Sequence, residues 1–259
     1  MSELIKSKSE FLDLESVNGV PKIVWCFWAG GIMNDARSLS FQMLRENIGV
    51  PVCMITPENI GQFILKDSPL HASFPYLSAV HQSDYIRAYL LHHYGGAWHD
   101  VKATKVSFEK VWEGFSDSHI YLIGKPEIQG EPARIHDEQG RWMPDYWKEL
   151  VSVVSWVGRA KTPFSNALLE NMEAFLDKNL ELLKKYPGKH PREKKIETNN
   201  FFSKNLKKLS YKIQGRNANY PLPWTVFGNI FHPLNYRFRE NILRTLPVDV
   251  IKNAGVYHR

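Results

Sequence analysis

HQSDYIRAYLLHHYGGAWHD, residues 81–100, is the stretch whose reading decides the fold. On a 3.6-residue repeat, Tyr85, Ile86, Tyr89 and Leu90 fall on one face of a helix, and Asp84, Arg87, Ala88 and Leu91 on the opposite one. Apolar residues on both faces predict a helix covered by protein all round. Ser83 is the expected N-cap, its hydroxyl accepting from a free amide of the first turn, which puts Asp84 where the helix dipole favours an anion. Gly95 and Gly96 stop the helix, because glycine enters the left-handed region without a side-chain clash. Ala97, Trp98, His99 and Asp100 then read as a short buried strand ending in a carboxylate. An acid on an interior helix and another where a strand emerges converge near the carboxyl edge of a sheet, where open α/β folds bind nucleotides. Spacing alone also fits a plainer reading: Asp84 and Arg87 as a helical ion pair worth a few tenths of a kcal/mol, and Asp100 as a mere strand end.

Working outward, residues 22–28 (KIVWCFW) are β-branched and aromatic and are closed by Gly30 and Gly31, the pattern of a first central strand feeding a turn. An amphipathic helix is expected over 35–48, with Leu39, Phe41, Met43, Leu44 and Ile48 on its apolar face. Residues 50–55 read as a second strand, and Thr56 as the cap of a short helix through Phe63, with Pro57 at its first position. Strand, helix, strand, helix predicts an α/β protein with a parallel sheet. A short leading helix is expected within residues 4–15, strands over 119–124 and 151–157, and a long amphipathic helix over 163–183. Between them, residues 125–150 form a polar loop with Pro126, Pro132 and Pro144; its Glu131, Asp137, Glu138, Asp145, Trp142 and Trp147 are either solvated loop residues or contacts to a ligand.

The chain of 259 residues, 43% apolar and 23% charged, is long enough for one large core. Its formal charge of +6 suits an anionic partner, leaving nucleotide diphosphates, anionic lipid and nucleic acid open. Cys26 and Cys53 lie in strand-like runs, so buried free thiols and a reducing compartment are expected. The first twenty residues lack an export signal's apolar core, and nowhere do about eighteen apolar residues run together, so no spanning helix is expected. Residues 184–208 are rich in lysine. They read as a solvated loop and helix face, or as a contact with anionic lipid at about 1 kcal/mol per basic residue near the surface.

The segment from Ser83 to Asp100, SDYIRAYLLHHYGGAWHD, resembles the S-D-x-x-R…Y-G-G-x-[WY]-x-D signature of the glycosyltransferases of family 32, of the capsular polysaccharide synthesis family and, more distantly, of the glucosylating clostridial toxins. The resemblance implies a single GT-A domain over residues 1–259, a Rossmann-like, mostly parallel sheet flanked by helices. The nucleotide-sugar-binding part spans about 20–125 and the acceptor-side and C-terminal part about 126–259. It further implies transfer of a sugar from a nucleotide-diphosphate donor to an oligosaccharide acceptor, lipid-linked or free, in making a capsule or O-antigen, with retention of configuration. An inverting reaction would need a general base, sought between Glu131 and Asp145.

Residue by residue, the resemblance gives Asp84 and Arg87 the donor's ribose, sugar and phosphate. It gives Asp100 the ribose and sugar or a share of a metal ion, and counts Gly95, Gly96 and Trp98 on the substrate side. Trp28, Ala29, Gly30 and Gly31 resemble the W-x-G-G of the same enzymes, where the tryptophan stacks on the base. An indole offers a base about 1–3 kcal/mol, and glycines let the chain pass close to a ligand. Lys102 stands where the D-x-D enzymes carry a second aspartate that ligates Mn2+ or Mg2+, and an ammonium cannot ligate a cation. Three outcomes are open: another carboxylate serves the divalent cation, Lys102 neutralises the diphosphate, or Lys102 points away. Trp224 and His232 are carried as late residues folding over the diphosphate, with a core role the alternative for His232. The expected setting is cytoplasmic, peripheral at the inner membrane face through 184–208, with no nucleic acid as partner. Two rival readings are a non-catalytic nucleotide-sugar binder, raised by Lys102, and a basic nucleic-acid-binding protein.

Overall fold

The computed structural model describes residues 1–137, 139–198 and 200–247; Glu138, among the expected loop contacts, lies outside them. In chain order the elements are β1 (Leu4–Ile5), α1 (Lys8–Leu12), β2 (Ser16–Val17), β3 (Val20–Pro21), β4 (Val24–Phe27), α2 (Asp35–Asn47), β5 (Val52–Ile55), α3 (Ala79–His93), β6 (Gly96–His99), β7 (Leu122–Pro126), β8 (Val151–Gly158), α4 (Pro163–Lys185), α5 (Phe201–Ile213), α6 (Val226–Arg237) and β9 (Ile242–Leu243). Seven strands form one sheet in the order β1-β5-β4-β6-β8-β7-β9. β1, β5, β4 and β6 run parallel, β8 is antiparallel to both β6 and β7, and β9 is parallel to β7. The fold is therefore α/β, with a mixed, mostly parallel sheet flanked by helices.

β4 shows why. Its four residues are all buried, Trp25 and Phe27 packing into the layer with Tyr85, Trp98 and Phe164, and Val24 and Cys26 into the layer with Leu44, Val52 and Ala97. Only a strand covered on both faces by helices tolerates so unbroken an apolar run. Cys26 and Cys53 are buried and free. No helix among the described residues is long and apolar enough to cross a membrane.

α3 is buried from Asp84 through Leu91, as its two apolar faces predict. Its start is different: the N-cap is Ser78, not Ser83, so Asp84 lies beyond the first turn and away from the dipole's positive end. Distant residues fix this earlier start. The Tyr220 hydroxyl accepts from Ser78 N–H at 3.1 Å, and His81 Nε2 donates to the Pro223 carbonyl at 2.9 Å. His81 Nδ1 then faces the Ser78 and Tyr220 hydroxyls, both at 2.9 Å.

Burial pushes the His81 imidazole down from 6.5 to about 4, against the Pro223 carbonyl, which favours the charged ring. Its folded pKa being the lower, the unfolded chain takes up the proton first, and stability falls as pH drops from 6.5 toward 4. This one group accounts for up to about 3 kcal/mol. The wild type should therefore lose stability relative to His81→Gln by that order between neutral pH and pH 4, in urea midpoints; parallel pH slopes for the two proteins would contradict the assignment.

Other departures have local causes. Leu4 and Ile5 pair with Val52 and Cys53 as an edge strand, leaving only Lys8–Leu12 of the expected leading helix. Thr56 caps no helix. The Asn59 side chain accepts from Thr56 N–H and donates to the Met54 carbonyl, closing a turn, and a single 3-10 turn, Ile60–Phe63, follows. Gly95 and Gly96 have φ of 71° and 91°, and a Cβ on Gly95 would stand 2.8 Å from the Ala160 nitrogen. Their glycines serve close strand packing as well as helix termination.

Candidate functional site

β6 carries the chain to the carboxyl edge of the sheet, and a tight turn follows. The Asp100 carbonyl accepts from Lys102 N–H and faces His99 Nδ1, each at 2.6 Å, while Asp100 N–H donates to Val154 O on β8 at 3.0 Å. This turn keeps Asp100 and Lys102 together, with Lys102 Nζ 3.6 Å from Asp100 Oδ2. On the other side Asp100 Oδ1 accepts from Trp98 Nε1 at 3.1 Å and stands 3.9 Å from Arg87 Nη1.

Arg87 comes from the middle of α3. It donates through Nη2 to Asp84 Oδ1 at 2.8 Å, through Nη1 to the Val153 carbonyl at 3.0 Å and through Nε to the Ser83 carbonyl at 3.4 Å. Its guanidinium lies 5.1 Å from the Trp98 ring and 4.5 Å from the Phe227 ring of α6. Asp84, Arg87, Asp100 and Lys102 thus form one chain of alternating charge, running from the buried interior to the half-buried rim.

Electrostatics grade along that chain. Burial pushes the Asp84 carboxyl up to about 6; Arg87 lowers it only in part, and the Asp100 charge adds to the rise. Burial acts on Asp100 too, but Arg87 and Lys102, the Trp98 hydrogen bond and His99 together hold it below the usual carboxylate range. Asp100 is therefore the reliably ionised member, and it is the one that reaches the surface, its side chain 27% exposed.

Trp28 joins the same edge from β4. Trp25 pairs with Trp98 in parallel register, so three residues on Trp28 is level with Val101. Arg37 ties the two together, donating to the Val101 carbonyl at 2.6 Å with its guanidinium 5.0 Å from the Trp28 ring. Trp28 Nε1 donates to the Gly31 carbonyl at 2.5 Å, and a Cβ on Gly30 would sit 3.0 Å from the indole. Gly30 and Gly31, the latter at φ 77°, thus let the ring fold onto its own turn.

The remaining candidates separate. Gly95 and Gly96 lie at the amino end of β6, about 13 Å of strand away from Asp100, and Gly95 O accepts from Trp25 Nε1 at 2.8 Å. Their place is the opposite rim, and the reading that put them beside the ligand does not follow from this geometry. Trp98 is buried, reaching the cluster through its Nε1 and its ring face.

His232 is buried on α6 with Glu127, Nε2 to Oε2 3.2 Å, and its Nδ1 accepts from Ala133 N–H at 3.0 Å. It pins the start of the 125–150 loop, the core alternative of its two readings. Trp224 lies under the Arg192 and Lys194 side chains, 5.2 and 5.5 Å away, next to Pro223, the partner of His81. In the loop, Asp137 accepts from the Gln139 and Arg141 amides and pairs with the Arg141 side chain, while Asp145 pairs with Lys148. Arg37, Phe227 and the Val153 carbonyl were not legible as site members. Arg37 reads as one more polar residue of an amphipathic helix.

The expected divalent cation does not fit this donor set. Asp100 faces N–H groups on one oxygen and an ammonium on the other, and Asp84 is engaged by Arg87. Among the described residues no group of three or more His, Cys, Asp and Glu side chains is placed to hold a metal ion.

No curated protein sequence matches the chain. Among solved structures it is similar to the PaToxG glycosyltransferase, at 13% identity over 90% of this chain and 89% of that one, with a TM-score of 0.39. The family profile described as "Capsular polysaccharide synthesis protein" matches residues 2–215. With a match over most of its length, and the S-D-x-x-R and Y-G-G-x-W-x-D residues gathered into one α/β framework, this chain belongs to the capsular polysaccharide synthesis protein family.

Proposed function

We propose that the protein is a glycosyltransferase of the GT-A kind, moving a sugar from a nucleotide-diphosphate donor to a saccharide acceptor in the assembly of a surface polysaccharide. The observation that carries this reading is the alternating chain Asp84, Arg87, Asp100, Lys102 at the carboxyl edge of a mostly parallel sheet. That edge is where α/β folds bind nucleotides, and the family membership supplies the sugar chemistry.

In this reading Asp100, ionised and at the rim, accepts hydrogen bonds from the hydroxyls of the donor's ribose or sugar. Arg87 uses three of its five N–H groups on the Ser83 and Val153 carbonyls and Asp84, and faces Asp100 across 3.9 Å, so its first task is to fix the two acids; two N–H groups are left for Asp100 and the donor. Lys102, a third exposed, is the cation presented to the diphosphate. As the bond to the sugar breaks, negative charge grows on the leaving phosphate oxygen, and an ammonium fixed nearby lowers the barrier. Trp28, at the same rim, offers an indole to the base. The two carboxylates of the cluster are both held by cations, which suits retention better than removal of a proton by a strong base.

A panel of nucleotide sugars, assayed for nucleotide release with chelator and with Mn2+ or Mg2+, tests this. Turnover is expected with chelator present, and Lys102→Ala should lower it about 10²-fold. Donor binding without nucleotide release, on any acceptor, would instead make the protein a binder and overturn the proposal. Turnover strictly dependent on Mn2+ in the wild type would remove Lys102 from its assigned role.

A further inference from the structure

The lysine-rich region contains a feature its composition hides. Residues 201–213 form the helix α5, and at 100° per residue Phe202, Leu206, Leu209 and Ile213 share an arc of about 60°. These four are 78%, 69%, 56% and 79% exposed. Tyr211, on the opposite side, is buried and faces the Arg216 guanidinium at 4.0 Å. The apolar stripe therefore points directly away from the protein. Asn200 caps the helix by accepting from Phe202 and Ser203 amides, so its start is as well made as its anchored end.

Charge around the stripe is one-sided. Residues 184–216 hold 11 of the chain's 33 basic residues and two of its 27 acidic ones, which leaves the rest of the chain net acidic. One of those two acids, Glu193, is buried and bound to the Lys189, His190 and Asn217 amides. On α5 itself Lys208 and Lys212 lie to one side of the stripe and Lys207 to the other. An isologous contact with a second copy would bring these lysines against one another. A negatively charged lipid surface neutralises them while the apolar side chains enter the acyl boundary, and lysine stems reach back to the headgroups.

We propose that α5 docks the protein on an anionic membrane surface, with Phe202, Leu206, Leu209 and Ile213 inserted and the flanking lysines at the phosphates. The inference stands apart from the glycosyl-transfer reading. The segment after α5 does lead to the site helix: Asn217 Nδ2 donates to Pro187 O at 2.8 Å, and the Tyr220 hydroxyl bonds to Ser78 at the cap of α3.

Flotation of the full chain with vesicles of phosphatidylcholine, alone or with about one third phosphatidylglycerol, tests the proposal. Wild type should bind the anionic vesicles at least about tenfold better than the neutral ones, and Phe202→Ser/Leu206→Ser and Lys207→Gln/Lys208→Gln/Lys212→Gln should each lose about tenfold or more. Circular dichroism and nucleotide release in solution should stay at wild-type levels in both, which separates docking from catalysis. Equal binding to both vesicles, or unchanged binding by the Phe202→Ser/Leu206→Ser protein, would overturn it. So would a wild-type dimer that the same apolar substitutions dissolve in the absence of any vesicle binding, since the stripe would then cover a second copy.

Discussion

Replacing Arg87 with alanine should cost about 3–5 kcal/mol of folding stability and remove turnover altogether. The guanidinium sits between Asp84 and Asp100, stacked against Trp98 and Phe227, and supplies hydrogen bonds to the Ser83 and Val153 carbonyls. Its loss leaves a fully buried carboxylate without a counter-charge. Asp84, already pushed up to about 6 by burial, would then take up a proton more readily still. Adding Asp84→Asn to Arg87→Ala removes the stranded charge, so the double variant should regain a large part of the lost stability while staying inactive. Urea unfolding of the two single variants and the double completes the cycle. Additive losses would mean that Asp84 and Arg87 do not act as a unit.

Asp100→Asn should behave in the opposite way, lowering turnover about 10²- to 10³-fold while changing stability by about 1 kcal/mol or less. The amide is isosteric and its oxygen still accepts from Trp98 Nε1, so the turn after β6 is preserved. What disappears is the charge that Arg87 and Lys102 face across 3.9 and 3.6 Å. Steady-state nucleotide release beside a thermal melt separates the two effects. A folded Asp100→Asn protein with near-normal rates would take Asp100 out of the chemistry.

Much of this architecture is visible in local sequence because its causes are local. The two apolar faces of α3, the glycine stop and the buried run of β4 are patterns of period 3.6 and of unbroken hydrophobicity, and each produced its element. Asp84, Arg87 and Asp100 could be matched to a signature whose residues lie within eighteen positions. Features with distant causes were not legible. Ser78 replaces Ser83 as the cap because Tyr220 and Pro223 fix the start of α3 from some 140 residues away. Arg37 enters the site through a carbonyl in the turn after β6, and Gly95 and Gly96, adjacent to the motif in sequence, end at the far rim because β6 separates them from Asp100. α5 shows a related effect: lysines dominate its composition, but the helical repeat sorts its apolar residues onto one stripe.

The central claim is that one activated sugar binds across Trp28, Asp84, Arg87, Asp100 and Lys102. A crystal structure with an intact nucleotide sugar tests it most directly. The account predicts the base against Trp28, the diphosphate within reach of Lys102, and the ribose or sugar hydroxyls on Asp100. A donor seated elsewhere on the protein, with those five side chains untouched, would contradict it.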